Sequence, residues 1–579
     1  VSEDKLIGLV TTTAAGRRGA QQLAAHWPNT RTYGVKQLAQ AWEDCDALVC
    51  FLAIGATVRL VAPLLADKQT DPAVVCVDDA QRHAVAVLGG HAGGANELAS
   101  RVAELLGGQA VITTATDATG IAALDQLGWP YEGDVAAVTR ALLDGNPVSL
   151  SYVPALAEGT GWPLPALPTQ LGTADPASTT DTAGPAIVVS DLLDPQRPTP
   201  SVVLRPPSLV VGVGASRGVS AAEVLGLIRQ ALADAGLAEA SIAQLATVDI
   251  KADEVGLIEA AAELGVPLTI HTAETLAGVE VPNPSEVVRN TVGTASVAEA
   301  AALIGGGELV VPKRKSVVGP DRTISAATVA IVRKPPRGRL AIVGIGPGDR
   351  DLLTPQARDE LRRASVIVGL DQYVAQIRDL LRPGTRVLET GLGAEQERAS
   401  SAATLAKQGH AVALIGSGDA GIYAMASPAL EEADETFDVI GAPGVTAMLA
   451  SAALLGAPLG HDHAAISLSD LHTPWGVIER RITAAAEGDF VVSFYNPRSR
   501  GRDWQLPKAL ALLSEHRPGT TPVGIVSDAT RPTQQVTLTT LEDFDVQLVG
   551  MTSLVMVGSS QSRIVAGRFV TPRGYAWRV

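Results

Sequence analysis

A chain of 579 residues far exceeds the roughly 100–200 residues of one domain, so it predicts three to five domains, each able to bury its own core. The formal net charge of -16 repels phosphate backbones and anionic membranes, which argues against nucleic acid or a membrane surface as partner. With 46% hydrophobic residues but only 3% aromatics, the cores must be built from Ala, Val, Leu and Ile, which is α/β material. The opening VSEDKLIGLV carries two acids before its first apolar run, unlike a secretory leader, and no stretch of about 18 apolar residues follows. Cys45, Cys50 and Cys76 fit no usual zinc or redox spacing. The expectation is a cytoplasmic protein with reduced thiols and no metal site.

Short β-branched runs at 47–51, 73–77, 84–88 and 110–113 read as buried strands, with helical patterns after Gly55 and Asn96. They predict a parallel α/β domain over 1–130. Residues 131–207 are rich in Pro and Thr and carry little periodicity, so they read as a loop-heavy, variable middle segment. A second α/β pattern over 208–332 has a strand at 208–213, helices at 220–235 and 252–264, and a closing apolar run ATVAIVR. RKPPRG at 333–338 combines two prolines with three positive charges and reads as a linker.

Within 339–579, strands are expected at 340–343, 366–368, 410–415, 437–440, 490–495, 522–526 and 553–557, and VTLTTLEDF near 536–544 suggests an antiparallel element. The fold class is α/β multidomain, the last region having a mixed second sheet.

Chemistry begins at AIVGIGPGD, 341–349, where a strand runs into Gly344, Gly346, Pro347 and Gly348. Glycine lets a backbone approach a ligand closely, although the spacing differs from the dinucleotide fingerprint and a plain tight turn is the alternative. IGSGDAGIYAM, 415–425, repeats the device. Gly418 admits a ligand, Asp419 offers a carboxylate to its hydroxyl or amino groups, and Ile422 and Tyr423 can cover it; a helix N-cap is the alternative for Asp419. At 440–458, IGAPGVTAMLASAALLGAP places Pro443-Gly444 in a turn and Thr446 at a helix start. FYNPRSRGR, 494–502, then puts Asn496 before a proline and clusters Arg498, Arg500 and Arg502 in an acidic chain.

These four segments, in this order, resemble the tetrapyrrole (class III) methyltransferase family across 338–579. Within it, ISLSDLHTPWGVIERRITAAAEGDFVVSFYNPRSR at 466–500 is most similar to the precorrin-3B C-17 methyltransferases, the ring-contracting branch of CobJ or CbiH type. The resemblance implies a homodimer of two α/β subdomains with S-adenosyl-L-methionine in the cleft between them. It places cofactor contacts on Gly346, Pro347, Gly348, Ser417, Gly418, Asp419, Ile422, Thr446 and Ala447, with Asn496 and Ala529 at two later positions of variable side chain.

Methyl transfer needs the nucleophile and methyl group held in line, and no metal. Ring contraction also needs a base, for which Asp371 and Asp470 are candidates; each is otherwise a structural acid. Arg498, Arg500 and Arg502 can pair with substrate carboxylates, or form a solvated positive loop. Another methyl acceptor, a protein side chain or RNA, is the competing reading, which the acidic charge disfavours for RNA.

AIGATVRLVAPLLADKQTDPAVVCVDD at 53–79, VLGGHAGGANELASRVAELL at 87–106, VGVGASRGVS at 211–220, TVDIKADEVGLIEAA at 247–261 and VAEAAALIGGGELVVPKRKS at 297–316 resemble the CbiG family of cobalt-precorrin-5A hydrolases. That implies opening of a δ-lactone with release of acetaldehyde. His91, ringed by four glycines, is either the base or the cap of a sharp turn. Arg59, Lys68 and the trio Lys313, Arg314, Lys315 are candidate carboxylate anchors or surface charges. The family usually carries a cysteine and a second arginine where this chain has Ala215 and Ser216, which leaves two readings: an active hydrolase, or a non-catalytic corrinoid-binding module.

Overall fold

The computed structural model describes residues 5–67, 70–90, 93–171, 184–195, 197–316, 326–499 and 501–574. The chain divides into two compact units, one made of 1–158, 167–336 and 382–384, the other of 159–166, 337–381 and 385–579. Among the described residues no helix is long and apolar enough to cross a membrane.

Among the described residues the first unit holds three sheets. In the N-terminal one the strand order is Thr30–Gly34, Ile7–Thr11, Ala47–Phe51, Ala73–Val77, His83–Leu88, Gln109–Val111. Successive side chains of a strand point to opposite faces, so Leu9, Val49 and Val75 pack under Leu23, Leu98 and Val102 while Val10, Leu48 and Val74 pack against Leu38 and Val61. Helices on both faces explain why the central strands Ile7–Thr11, Ala47–Phe51 and Ala73–Val77 are buried throughout. The sheet departs from the parallel expectation at one place: Ala73–Val77 and His83–Leu88 run antiparallel. The five residues between them are too few for a crossover, which takes a dozen or more. The three cysteines are buried and free, and burial pushes each thiol pKa up.

The middle segment is not loop-heavy throughout. It forms a sheet in the order Tyr131–Gly133, Ser201–Leu204, Ala186–Ser190, Ser149–Val153, Gln170–Leu171. Ala186–Ser190 and Ser201–Leu204 pair in parallel and are buried along their whole length. Runs of four or five residues leave little periodicity to read, so their Pro- and Thr-rich surroundings dominate the sequence signal.

The third sheet has the order Leu268–His271, Ile242–Val248, Leu209–Ala215, Ala327–Arg333, Glu308–Lys315, with helices Ala221–Ala235 and Val255–Leu264. The second helix starts later than expected because Asp249–Lys251 forms a separate single turn. Arg333, expected to open the linker, is the last residue of a strand.

Among the described residues the second unit holds three sheets, of which a small one pairs Gly456–Ala457, Arg568–Val570 and Arg563–Val565 and the other two carry the loops described below. A parallel one runs Arg386–Thr390, Val366–Leu370, Ala411–Gly416, Arg339–Gly344, Asp438–Ala442. A mixed one runs His463–Ser467, Val491–Tyr495, Ser553–Val557, Pro522–Ser527, Gln535–Thr540, and its last strand, antiparallel to Pro522–Ser527, is the element expected near 536–544.

Candidate active site

Ala411–Gly416, Arg339–Gly344 and Asp438–Ala442 are parallel neighbours, so the loops leaving their C-terminal ends open on one edge, where α/β sheets bind ligands. Those loops are locked to one another through backbone. Ile345 N–H donates to Gly416 O at 2.9 Å, and Gly346 and Gly418 exchange bonds of 3.0 and 2.8 Å. Gly346 sits at φ +75°, which a side chain would strain. An added Cβ at Gly444 would lie 2.0 Å from Gly418 O, so the third loop can close on the second only as glycine. The Asp419 carboxylate completes the lock, accepting from Gly421 N–H at 2.8 Å and Gly444 N–H at 3.0 Å. Its oxygens thus brace the floor.

The mixed sheet supplies the other wall. Tyr495, at the end of its strand, bonds Thr446 Oγ1 through its hydroxyl at 2.6 Å and accepts from Met448 N–H at 3.1 Å. It thereby does what an N-cap side chain usually does for the helix Ala447–Leu455, since Thr446 makes no cap bond of its own. Tyr423 packs against Tyr495 at 5.2 Å and donates to Ala465 O at 2.8 Å. Burial raises both phenol pKa values, and the bonds from Thr446 and Met448 oppose that rise at Tyr495. Ala529 is buried in the same apolar cluster as Ala447, Met448 and Tyr495. Beyond it, Asp349 N–H donates to Thr530 Oγ1 at 3.1 Å and Arg531 Nε to Pro347 O at 3.0 Å.

Among the described residues, seven non-glycine positions have positive φ, and Tyr423, Asn496, Asp528 and Thr530 stand on these loops. Such strain gathers where surrounding structure enforces it, commonly at functional sites.

Residues 339–545 match the family described as Tetrapyrrole (Corrin/Porphyrin) Methylases. Residues 36–117 and 209–332 match the families described as Cobalamin synthesis G N-terminal and Cobalamin synthesis G C-terminus. A "Probable cobalt-factor III C(17)-methyltransferase" of Salmonella typhimurium is 48% identical over 239 residues, which are 41% of this chain and 99% of that protein. The chain belongs to the tetrapyrrole methylase family. The methylase is also 38% identical to a "Precorrin-3B C(17)-methyltransferase" of Sinorhizobium sp, over 41% of this chain and 98% of that one. "Cobalamin biosynthesis protein CobIJ" of Mycobacterium tuberculosis is 42% identical over 41% of this chain, a stretch spanning only 48% of that protein.

S-adenosylmethionine-dependent methylation is what this family implies, and the crevice of the methylase fits such a donor. Its floor is main chain that packs closely because Gly346 and Gly444 carry no Cβ and Gly418 holds a φ of +66°, and its wall offers the apolar surface of Ala447 and Ala529. Gly346, Pro347, Gly348, Gly418, Asp419, Thr446, Ala447 and Ala529 are brought together. Ser417 adjoins Gly418, and Ile422 is exposed beside Tyr423. Asn496 follows Tyr495 directly but turns its amide to Ser467 Oγ at 3.1 Å.

Removing the Tyr495 hydroxyl in Tyr495→Phe would leave Met448 N–H and the buried Thr446 hydroxyl without this partner, at a cost of about 1–3 kcal/mol. Affinity for S-adenosylhomocysteine, read by calorimetry, should fall by about tenfold. An unchanged value would show that Thr446 and its helix start do not depend on Tyr495.

The candidate bases stand differently. Asp371 starts the helix Asp371–Ile377 at the end of Val366–Leu370, exposed, and accepts from Gln372 N–H at 2.6 Å. Asp470 accepts from the buried Gln505 amide at 3.0 Å. Of the arginines, Arg498 donates to Val546 O at 2.9 Å and Val549 O at 3.4 Å, so it holds the loop in place. Arg502 donates through Nε to Asn496 O at 3.0 Å, and burial lowers its pKa with Asp470 acting against that. Arg500 lies outside the described residues. No local sequence pattern marks Tyr495, Thr530 or Arg531, although each is next or next but one to Asn496 or Ala529.

In the first unit, His91 and Lys68 lie outside the described residues, and Arg59 is exposed on the helix Ile54–Val61. Arg314 pairs with Asp234, and Lys313 Nζ donates to Asn283 O at 2.5 Å, so two of that trio have local partners. The loop after Ala215 is held by other residues: Ser216 N–H reaches Ala326 O at 2.7 Å, Arg217 pairs with Asp253 at 2.9 Å, and Gly218 N–H donates at 2.8 Å to Glu254, whose side chain is buried. Its conformation therefore has anchors that a thiol at 215 is not needed to supply.

Proposed function

We propose that the second unit transfers a methyl group from S-adenosyl-L-methionine to C-17 of precorrin-3B or cobalt-factor III with ring contraction, and that the first unit opens the lactone of cobalt-precorrin-5A with release of acetaldehyde. The observation that carries the first part is the match, end to end, with the Salmonella protein at 48% identity. The locked glycine floor supports it physically, because methyl transfer depends chiefly on holding two reactants in line. The donor, when bound, supplies an electrophilic methyl group. Gly346, Gly418 and Gly444 give close backbone approach, Thr446 is fixed by Tyr495, and Asp371 or Asp470 takes the proton that contraction releases. The hydrolase part rests on the two cobalamin synthesis G matches.

Pairing as a homodimer through the second unit fits the exposed Leu449 on a helix without charged residues and the exposed Val439 on an edge strand. Mass spectrometry after incubating the full chain with S-adenosylmethionine and either macrocycle should show the gain of one methyl group; no gain on either refutes the methylase assignment. Acetaldehyde release from cobalt-precorrin-5A tests the first unit, and tight binding without release makes that unit a corrinoid-binding module. Sedimentation equilibrium reading a monomer would remove the dimer.

A further inference from the structure

Arg531 is half-buried at the crevice and is held by an unusual arrangement. Its Nε donates to Pro347 O at 3.0 Å, and its side chain crosses Gly348 so closely that a Cβ there would lie 2.5 Å from Arg531 Cγ. The glycine at 348 is thus what lets the arginine pass. The loop that carries it is fixed at several points: Thr530 Oγ1 accepts from Asp349 N–H at 3.1 Å, Thr530 N–H donates to Gln534 Oε1 at 2.8 Å, and Thr533 donates to Asp528 at 2.9 Å. Thr530 is a β-branched residue at φ +64°, a conformation that persists only when its surroundings demand it.

With Nε engaged, the two Nη atoms have no hydrogen-bond or ion-pair partner among the described residues. Arg398 and Arg517, by contrast, direct their Nη atoms to protein oxygens. A guanidinium oriented through Nε and open at its fork matches the two oxygens of a carboxylate.

We propose that Arg531 is a carboxylate-binding residue of the donor crevice, its Nη fork reading one carboxylate of the bound reactants while Nε holds it on the glycine-proline loop. This rests on the methylase reading above. The carboxylate has two possible sources there, the amino-acid end of the donor or an acidic side chain of the macrocycle, and the chemistry is the same for both.

The test uses the full chain as Arg531→Ala and Arg531→Lys, with melting temperature as the control for folding. Calorimetry with S-adenosylhomocysteine and with its decarboxylated analogue, without macrocycle, reads the first source. If the donor is held, Arg531→Ala weakens S-adenosylhomocysteine by about tenfold or more and leaves the decarboxylated analogue unchanged. If the macrocycle is held, donor affinity stays constant and the Kd for cobalt-factor III, read by absorbance titration, rises by a similar factor. Arg531→Lys, which keeps the charge but not the fork, should recover part of either loss. Unchanged affinity for both ligands overturns the proposal, and so does equal weakening of S-adenosylhomocysteine and its decarboxylated analogue, which would make Arg531 only a brace for the loop. Failure of the wild-type chain to methylate either macrocycle would count against the methylase reading and leave the calorimetric result on Arg531 standing.

Discussion

Gly444→Ala should lower methyl transfer by about 100-fold, because its new methyl group would have to occupy space already filled by Gly418 O at 2.0 Å and the Gly344 carbonyl carbon at 2.7 Å. An ordinary carbon-to-oxygen contact is about 3.3 Å, so the 442–446 loop must retreat by about 1 Å. Retreat draws Gly444 N–H away from Asp419, which then loses one of the two bonds that keep its carboxylate in the floor. It also moves Thr446, two residues on, relative to Tyr495. A shift of that size at a reacting centre costs about two orders of magnitude in rate, whereas the crowding itself should cost only about 1–3 kcal/mol of stability. Gly441→Ala is the matched control: it lies three residues upstream with open space around it, and should change rate by no more than about twofold. Steady-state kinetics with melting curves on both variants decide the point. Wild-type turnover in Gly444→Ala would mean that the three loops do not need to close on one another.

The glycine loops were legible because glycine at a strand's end is a local signal, and three such strands in an α/β pattern bring their ends together. The walls were not. Tyr495 meets Thr446 across 49 residues of sequence, and Arg531 meets Pro347 across 184, so neither pairing leaves a trace near either residue. Positive φ at Thr530 contradicts the preference of threonine and is imposed from outside. The same reasoning separates the arginines of FYNPRSRGR: their charge was readable, but that Arg498 turns to the carbonyls of Val546 and Val549 depends on a distant turn. In the first unit, the short span between Ala73–Val77 and His83–Leu88 did announce a hairpin. The apolar run of each strand concealed it, because a strand covered on both faces reads alike in either direction.

Asp191→Ala should destabilise the first unit by about 3–5 kcal/mol, the cost of breaking a buried ion pair from one side. Asp191 is 3% exposed and follows the buried strand Ala186–Ser190 of the middle sheet. Its Oδ2 accepts from Arg333 Nε at 2.7 Å and from Ser208 Oγ at 2.7 Å, and its Oδ1 accepts from Arg333 Nη2 at 3.1 Å. Burial opposes the charge on Arg333, but the bonds to Asp191 outweigh it and the guanidinium pKa rises above its ordinary value. Among the described residues, alanine would leave that cation with only Glu308, whose side chain is 70% exposed and therefore well screened by water. The pair also joins two sheets, since Arg333 ends a strand of the third one. Its loss should loosen the middle sheet from its neighbour, and urea unfolding of the full chain should show one transition moving to lower denaturant while the transition of the methylase unit stays in place. Asp191→Asn, which keeps the shape and loses the charge, should fall between. A shift below about 1 kcal/mol for Asp191→Ala would place the pair among the interactions whose attraction only matches the desolvation it incurs.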